Sequence, residues 1–75
     1  MMAGISSFEL KPIERPSTHE PARATYSIVE IGGTTFLQID TYGSASRKMP
    51  DKVSQSMQFG PEAISELRRI LMMLP

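Results

Sequence analysis

The chain has 75 residues, with eight basic and eight acidic side chains that cancel to zero formal charge, so no global field draws it to nucleic acid or an anionic membrane. It has no cysteine, which excludes disulfide staples and thiolate metal sites and fits a reducing compartment; no apolar run approaches the roughly 20 residues that span a bilayer. A chain this short buries only about 60% of its unfolded surface, so one small domain is the limit and self-association is the remaining source of stability.

Met1 to Leu10 lacks the basic region and long apolar core of a signal peptide, and the cytoplasm is the expected location. Residues 1–23 hold Pro12, Pro16 and Pro21 among alternating charges. Proline removes backbone donors and pushes the preceding residue toward extended conformations, which suits neither a helix nor a central strand. This segment reads as an arm, partly flexible. Ile5, Phe8 and Leu10 offer the alternative of a short extended element against the core. His19 lies in the arm with no second histidine and no cysteine, so no metal site is expected there.

From Ala24 the pattern changes. Ala24 to Ile31 (ATYSIVEI) is rich in β-branched and aromatic residues and predicts a strand. Gly32-Gly33 then predicts a two-residue hairpin turn with positive φ, and Thr34 to Tyr42 (TTFLQIDTY) predicts its second strand. That turn sets Ile31 opposite Thr34, Val29 opposite Phe36, Ile28 opposite Leu37 and Tyr26 opposite Ile39. Alternation then puts Tyr26, Ile28, Leu37 and Ile39 on one face, and Ser27, Val29, Phe36, Gln38, Asp40 and Tyr42 on the other.

Gly43 to Lys52 reads as a basic polar loop containing Arg47, Lys48 and a Pro50-Asp51 turn. Val53 to Phe59 alternates again: Met57 and Phe59 continue the apolar face, Ser54, Ser56 and Gln58 the polar one. Gln55 falls on the apolar side and fits the pattern poorly. Gly60-Pro61-Glu62 opens a helix, with proline at the first helical position and an acid complementing the dipole. Ala63, Ile64, Leu67, Ile70, Leu71 and Leu74 form a stripe at helical spacing. Ile70, Leu71, Met72, Met73 and Leu74 are apolar all round. Packing against a second subunit accounts for that run; a frayed terminus with tolerated methionines is the alternative.

Catalysis finds no constellation. The only histidine is in the arm, and no carboxylates pair at a spacing that implies acid–base work. Asp40 reads as a charge on a solvated strand face. Gly32-Gly33 is a turn and not a phosphate cradle, so neither an enzyme nor a cofactor is expected. The binding pattern is stronger. Phe36 and Tyr42 share a strand face with Gln38, Ser54, Ser56 and Gln58, beside Arg47, Lys48 and Lys52 in the loop. Aromatics for stacking, polar groups for base edges and cations for phosphates make up a platform for single-stranded nucleic acid. The alternative is Phe36 as core packing under the arm, with the cations solvated.

The order hairpin, loop, strand, helix, with QIDTY in the second strand and SMQF-G-PEAISEL entering the helix, resembles the positive-cofactor-four family of single-strand-binding transcriptional coactivators. The matching residues are Ile39, Tyr42 (or Thr41, depending on alignment), Pro50, Met57, Phe59 and Ile64, and the resemblance covers about Ala24 to Leu74. It implies an α+β fold: a small antiparallel curved sheet, hairpin plus third strand, then one C-terminal helix, with residues 24–75 as the domain. It also implies a homodimer whose helices pack across the interface and whose sheets bind single-stranded DNA. Arg47, Lys48 and Lys52 would then meet phosphates, and Phe36, Gln38 and Tyr42 bases or sugars. The chain departs from the family at Ser54, Gln55 and Ser56, where members keep cations, and at Asp40, where a cation would help. The expected function is therefore a dimeric single-stranded DNA- or RNA-binding accessory factor of transcription or DNA metabolism. A protein-interaction module of the same fold without nucleic-acid binding is the alternative.

Overall fold

A computed structural model describes residues 2–43 and 52–75. The elements in order are β1 (Met2–Ile5), β2 (Ala24–Ile31), β3 (Thr34–Tyr42), β4 (Val53–Phe59) and α1 (Pro61–Leu71). They form an α+β unit: one four-stranded sheet in the order β1-β4-β3-β2, with one helix. Gly32 and Gly33 take φ of 58° and 80°, the conformation a primed turn requires and one that other L-residues resist. The hairpin register follows as the turn dictates: Ile31 faces Thr34, Val29 faces Phe36, Ile28 faces Leu37 and Tyr26 faces Ile39.

The sheet is mixed, not the three antiparallel strands that local patterning implies. β4 pairs antiparallel with β3 and also parallel with β1, where Ala3 lies opposite Met57 and Ile5 opposite Phe59. Four residues (MAGI) are too few to show alternation, and their partner lies some fifty positions on, so this pairing leaves no local trace. The beginning of the arm is thus a strand. Its continuation docks as well: the Phe8 ring stacks on Phe59 with centroids 6.0 Å apart and planes 9° from parallel, and the Phe8 N–H donates to a Glu66 carboxylate oxygen at 3.0 Å. Residues 9–24 are exposed.

The helix begins as expected. Gly60 is extended, Pro61 occupies the first turn, and the Ile64 N–H donates to the Gly60 carbonyl at 2.9 Å. It ends at Leu71, one turn earlier than the apolar stripe implies. Met72 caps it through its N–H, so Met72, Met73 and Leu74 lie beyond the helix. The last turn tightens, with the Met73 and Leu74 N–H groups donating to Ile70 and Leu71 at i−3, and Pro75, which has no N–H and disfavours helical φ/ψ at Leu74, does not continue the helix.

Helix and sheet meet through the face that carries Leu37, with Ile64, Leu67 and Leu71 lining a cavity of about 340 Å3 against Ile28, Phe36 and Leu37. The enclosed core is small. Among the described residues only Phe59 and Ala63 are buried apolar side chains, while Tyr26 and Ile28, on the same face as Phe59, remain 76% and 74% exposed. Gln55 lies opposite Thr41, exposed, where the β3–β4 register shifts at Thr41/Tyr42. Its place at the end of the apolar face leaves it in water. No helix among the described residues is long and apolar enough to cross a membrane.

Candidate nucleic-acid interface

The other face of the sheet carries a continuous polar ladder. Register sets Gln38 opposite Gln58 and Asp40 opposite Ser56. Gln58 Nε2 donates to Gln38 Oε1 at 2.8 Å, and Gln38 Nε2 donates to both Asp40 oxygens at 3.2 and 3.3 Å. Ser56 Oγ completes the ladder, donating to Asp40 Oδ1 at 2.5 Å. Asp40 is the hub because an ionised carboxylate is all acceptor and both neighbours can turn a donor toward it. Ser56, small and enclosed by its neighbours, is only 6% exposed.

An aromatic residue stands at each end. Tyr42 lies under the Arg23 guanidinium, 4.3 Å from ring centroid to Cζ, and its hydroxyl is 3.2 Å from Thr25 Oγ1. The Tyr42 N–H donates to the Arg23 carbonyl at 3.0 Å, so the backbone holds the two residues side by side. Phe36 is half-buried at the opposite end, where the chain turns from β4 into α1. A Cβ built on Gly60 would sit 3.6 Å from the Phe36 ring. With Gly4, Gln58, Gly60 and Glu62, Phe36 also lines an open cavity of about 480 Å3.

Of the residues singled out from the sequence, Phe36, Gln38, Ser56 and Tyr42 share this face, and Ser54 is half-buried at its Tyr42 end, beside the register shift. Lys52 is exposed next to that end. Arg47 and Lys48 lie outside the described residues. Asp40 and Arg23 are the two that sequence reasoning undervalued. The hairpin parity already aligned Asp40 with Gln38, and a strand neighbour such as Ser56 was the available signal. Nothing local tied Arg23 to Tyr42, because their contact depends on the hairpin's open end. Among the described residues no group of three histidine, cysteine or carboxylate side chains is placed to hold a metal ion.

No family model, no curated protein and no solved structure matches the chain.

Proposed function

We propose that the protein is a dimeric single-stranded nucleic-acid-binding protein that uses the ladder face of its sheet. The observation that carries this reading is the ladder itself: Gln58, Gln38, Asp40 and Ser56 in one hydrogen-bonded row, with Phe36 and the Arg23-capped Tyr42 ring at its ends. Bases stack on aromatic rings for roughly 1–3 kcal/mol each and also on guanidinium planes, so a base at the Tyr42 end meets the Arg23 guanidinium that covers the ring. The internal bonds preorganise the amides and leave further capacity, since a carboxylate has about four lone-pair sites and an amide nitrogen two hydrogens. Asp40 only accepts, so bases with exocyclic amino groups suit this face better than thymine. Lys52, Arg47 and Lys48 supply the phosphate contacts. The dimeric state is supported by the exposure of Leu71, Met72, Met73 and Leu74, each more than half accessible.

Fluorescence anisotropy with labelled oligonucleotides tests the reading. Binding is expected at low salt, falling steeply as salt rises, with oligo-dC preferred over oligo-dT, and a roughly tenfold loss for Tyr42→Ala. Absence of binding to any single-stranded oligonucleotide at low salt refutes it. The second reading, a protein-interaction module, is favoured by zero net charge. It predicts a peptide or protein ligand lost with Tyr42→Ala and indifference to oligonucleotides.

A further inference from the structure

Strand β2 is an edge, with β3 on one side and nothing among the described residues on the other. Natural edges are protected by brevity, lysine, proline or a bulge. The other edge, β1, is four residues long. β2 runs for eight (ATYSIVEI) without lysine or proline, and its pairing with β3 is unbroken from Ala24 to Ile31. It also presents Tyr26 and Ile28, 76% and 74% exposed, on the apolar face. Beside it ends the helix: Leu71 lines the same cavity as Ile28, and the chain continues from there as Met72, Met73 and Leu74, all exposed. A backbone edge whose one charge, Glu30, lies next to the turn therefore adjoins the apolar side chains of Ile28 and Leu71, from which the exposed apolar end of the chain continues.

Resting on the dimeric reading above, we infer that two copies join antiparallel through their β2 edges, with the twofold axis at Ser27. A two-residue hairpin closes on a hydrogen-bonded pair, here Ile31 and Thr34, so alternate residues Val29, Ser27 and Thr25 spend their backbone groups on β3. Ala24, Tyr26, Ile28 and Glu30 then direct theirs outward. A twofold axis must pair residues of the same face, which leaves centres on single residues. Centred on Ser27, Tyr26 meets the partner's Ile28 and Thr25 meets the partner's Val29, an aromatic–β-branched pair on the apolar face and a β-branched pair on the other. Centred on Ile28, Tyr26 would meet the partner's Glu30, which wastes the apolar match. A second copy is the fitting occupant because the strand is complementary to itself in that register.

The surface available is of the right size. Burial of a large apolar side chain removes on the order of 100 Å2, so Tyr26, Ile28, Leu71, Met72, Met73 and Leu74 with the strand backbone approach the roughly 800 Å2 per partner of a stable interface. The product is a continuous eight-stranded sheet. Its two ladder faces run together across Thr25, Ser27 and Val29, roughly 35 Å wide at about 4.8 Å per strand gap.

The absence of native cysteine makes single-cysteine cross-linking a clean test. Across the free edge Ser27 forms a non-hydrogen-bonded pair with its own copy, with Cα atoms about 4.5 Å apart, within disulfide range. Ser27→Cys is expected to form a covalent dimer under mild oxidation at micromolar concentration, far beyond an Ala22→Cys control in the exposed arm. Ile28→Pro removes an outward N–H without touching the pairing with β3, together with the Ile28 side chain that lines the cavity against α1, and is expected to give a folded monomer by circular dichroism and sedimentation. A sedimenting dimer in which Ser27→Cys cross-links no better than the control, or in which Ile28→Pro leaves the dimer intact, overturns the pairing and spares the dimeric reading. Preferential cross-linking of Ile28→Cys overturns the register. A monomeric wild-type chain removes both.

Discussion

Replacing Phe8 by alanine tests whether the first residues of the chain belong to the fold. The ring is half-buried and stacked nearly parallel on Phe59 at 6.0 Å, and Phe59 is one of the few enclosed apolar side chains. Full burial of such a side chain is worth about 1.5–3 kcal/mol, so half burial contributes roughly 1 kcal/mol. An aromatic pair adds about 0.5–1.5 kcal/mol beyond its area. The expected loss is therefore about 2 kcal/mol. The backbone N–H that donates to Glu66 survives in the variant and offsets none of this. For a domain of this size each kcal/mol moves Tm by roughly 4–8 °C, which predicts a fall of about 8–16 °C. Thermal unfolding followed by circular dichroism, at one fixed protein concentration because association shifts Tm, measures it. Phe8→Leu should recover about half by restoring area without the stacked ring. A Phe8→Ala shift below about 2 °C would mean that the segment after β1 does not dock on Phe59, and the account of the arm would fail.

Other perturbations separate the remaining contributions. Gly33→Ala should cost about 1–2 kcal/mol in urea denaturation, because a Cβ there meets nothing within 4 Å and the penalty is purely that of φ +80° in an L-residue; Gly32→Asn should cost less. Asp40→Ala takes away the acceptor of the buried Ser56 hydroxyl and should destabilise by about 1–3 kcal/mol, whereas Asp40→Asn keeps an acceptor and should cost less by the same assay. Tyr42→Phe loses the hydroxyl contact to Thr25 but keeps the ring, so oligonucleotide affinity by anisotropy should stay within about twofold while Tyr42→Ala loses roughly tenfold. Equal losses for the two would place the effect in the hydroxyl and not in stacking.

The β2–β3–β4 part of the sheet and the start of the helix were legible in the sequence because each rests on short-range rules. Gly32-Gly33 fixes the turn, the turn fixes the pairs from Ile31–Thr34 onward, and period-two alternation then assigns Leu37 and Gln38 to opposite faces. Gly60-Pro61 marks the helix start in the same way. The polar ladder was half legible: its members could be named, but Asp40 looked like an obstacle until its bonds to Ser56 and Gln38 were seen. Parity puts Phe36 on the Gln38 side, yet its half-burial beside Gly60, lining both cavities that border α1, depends on how β4 turns into α1, which parity does not describe.

The sequence by itself determined the hairpin, its register, the helix origin and the split between apolar and polar faces, since all of these follow from φ preferences and side-chain periodicity within a few residues. Tertiary structure alone decided that Met2–Ile5 joins β4 in parallel, that Phe8 stacks on Phe59, that Arg23 covers Tyr42, and that β2 is an edge of the sheet among the described residues. These contacts close loops of many residues, and their energy comes from area and hydrogen bonds gained only once distant segments meet. A local pattern carries no record of which distant partner will provide them.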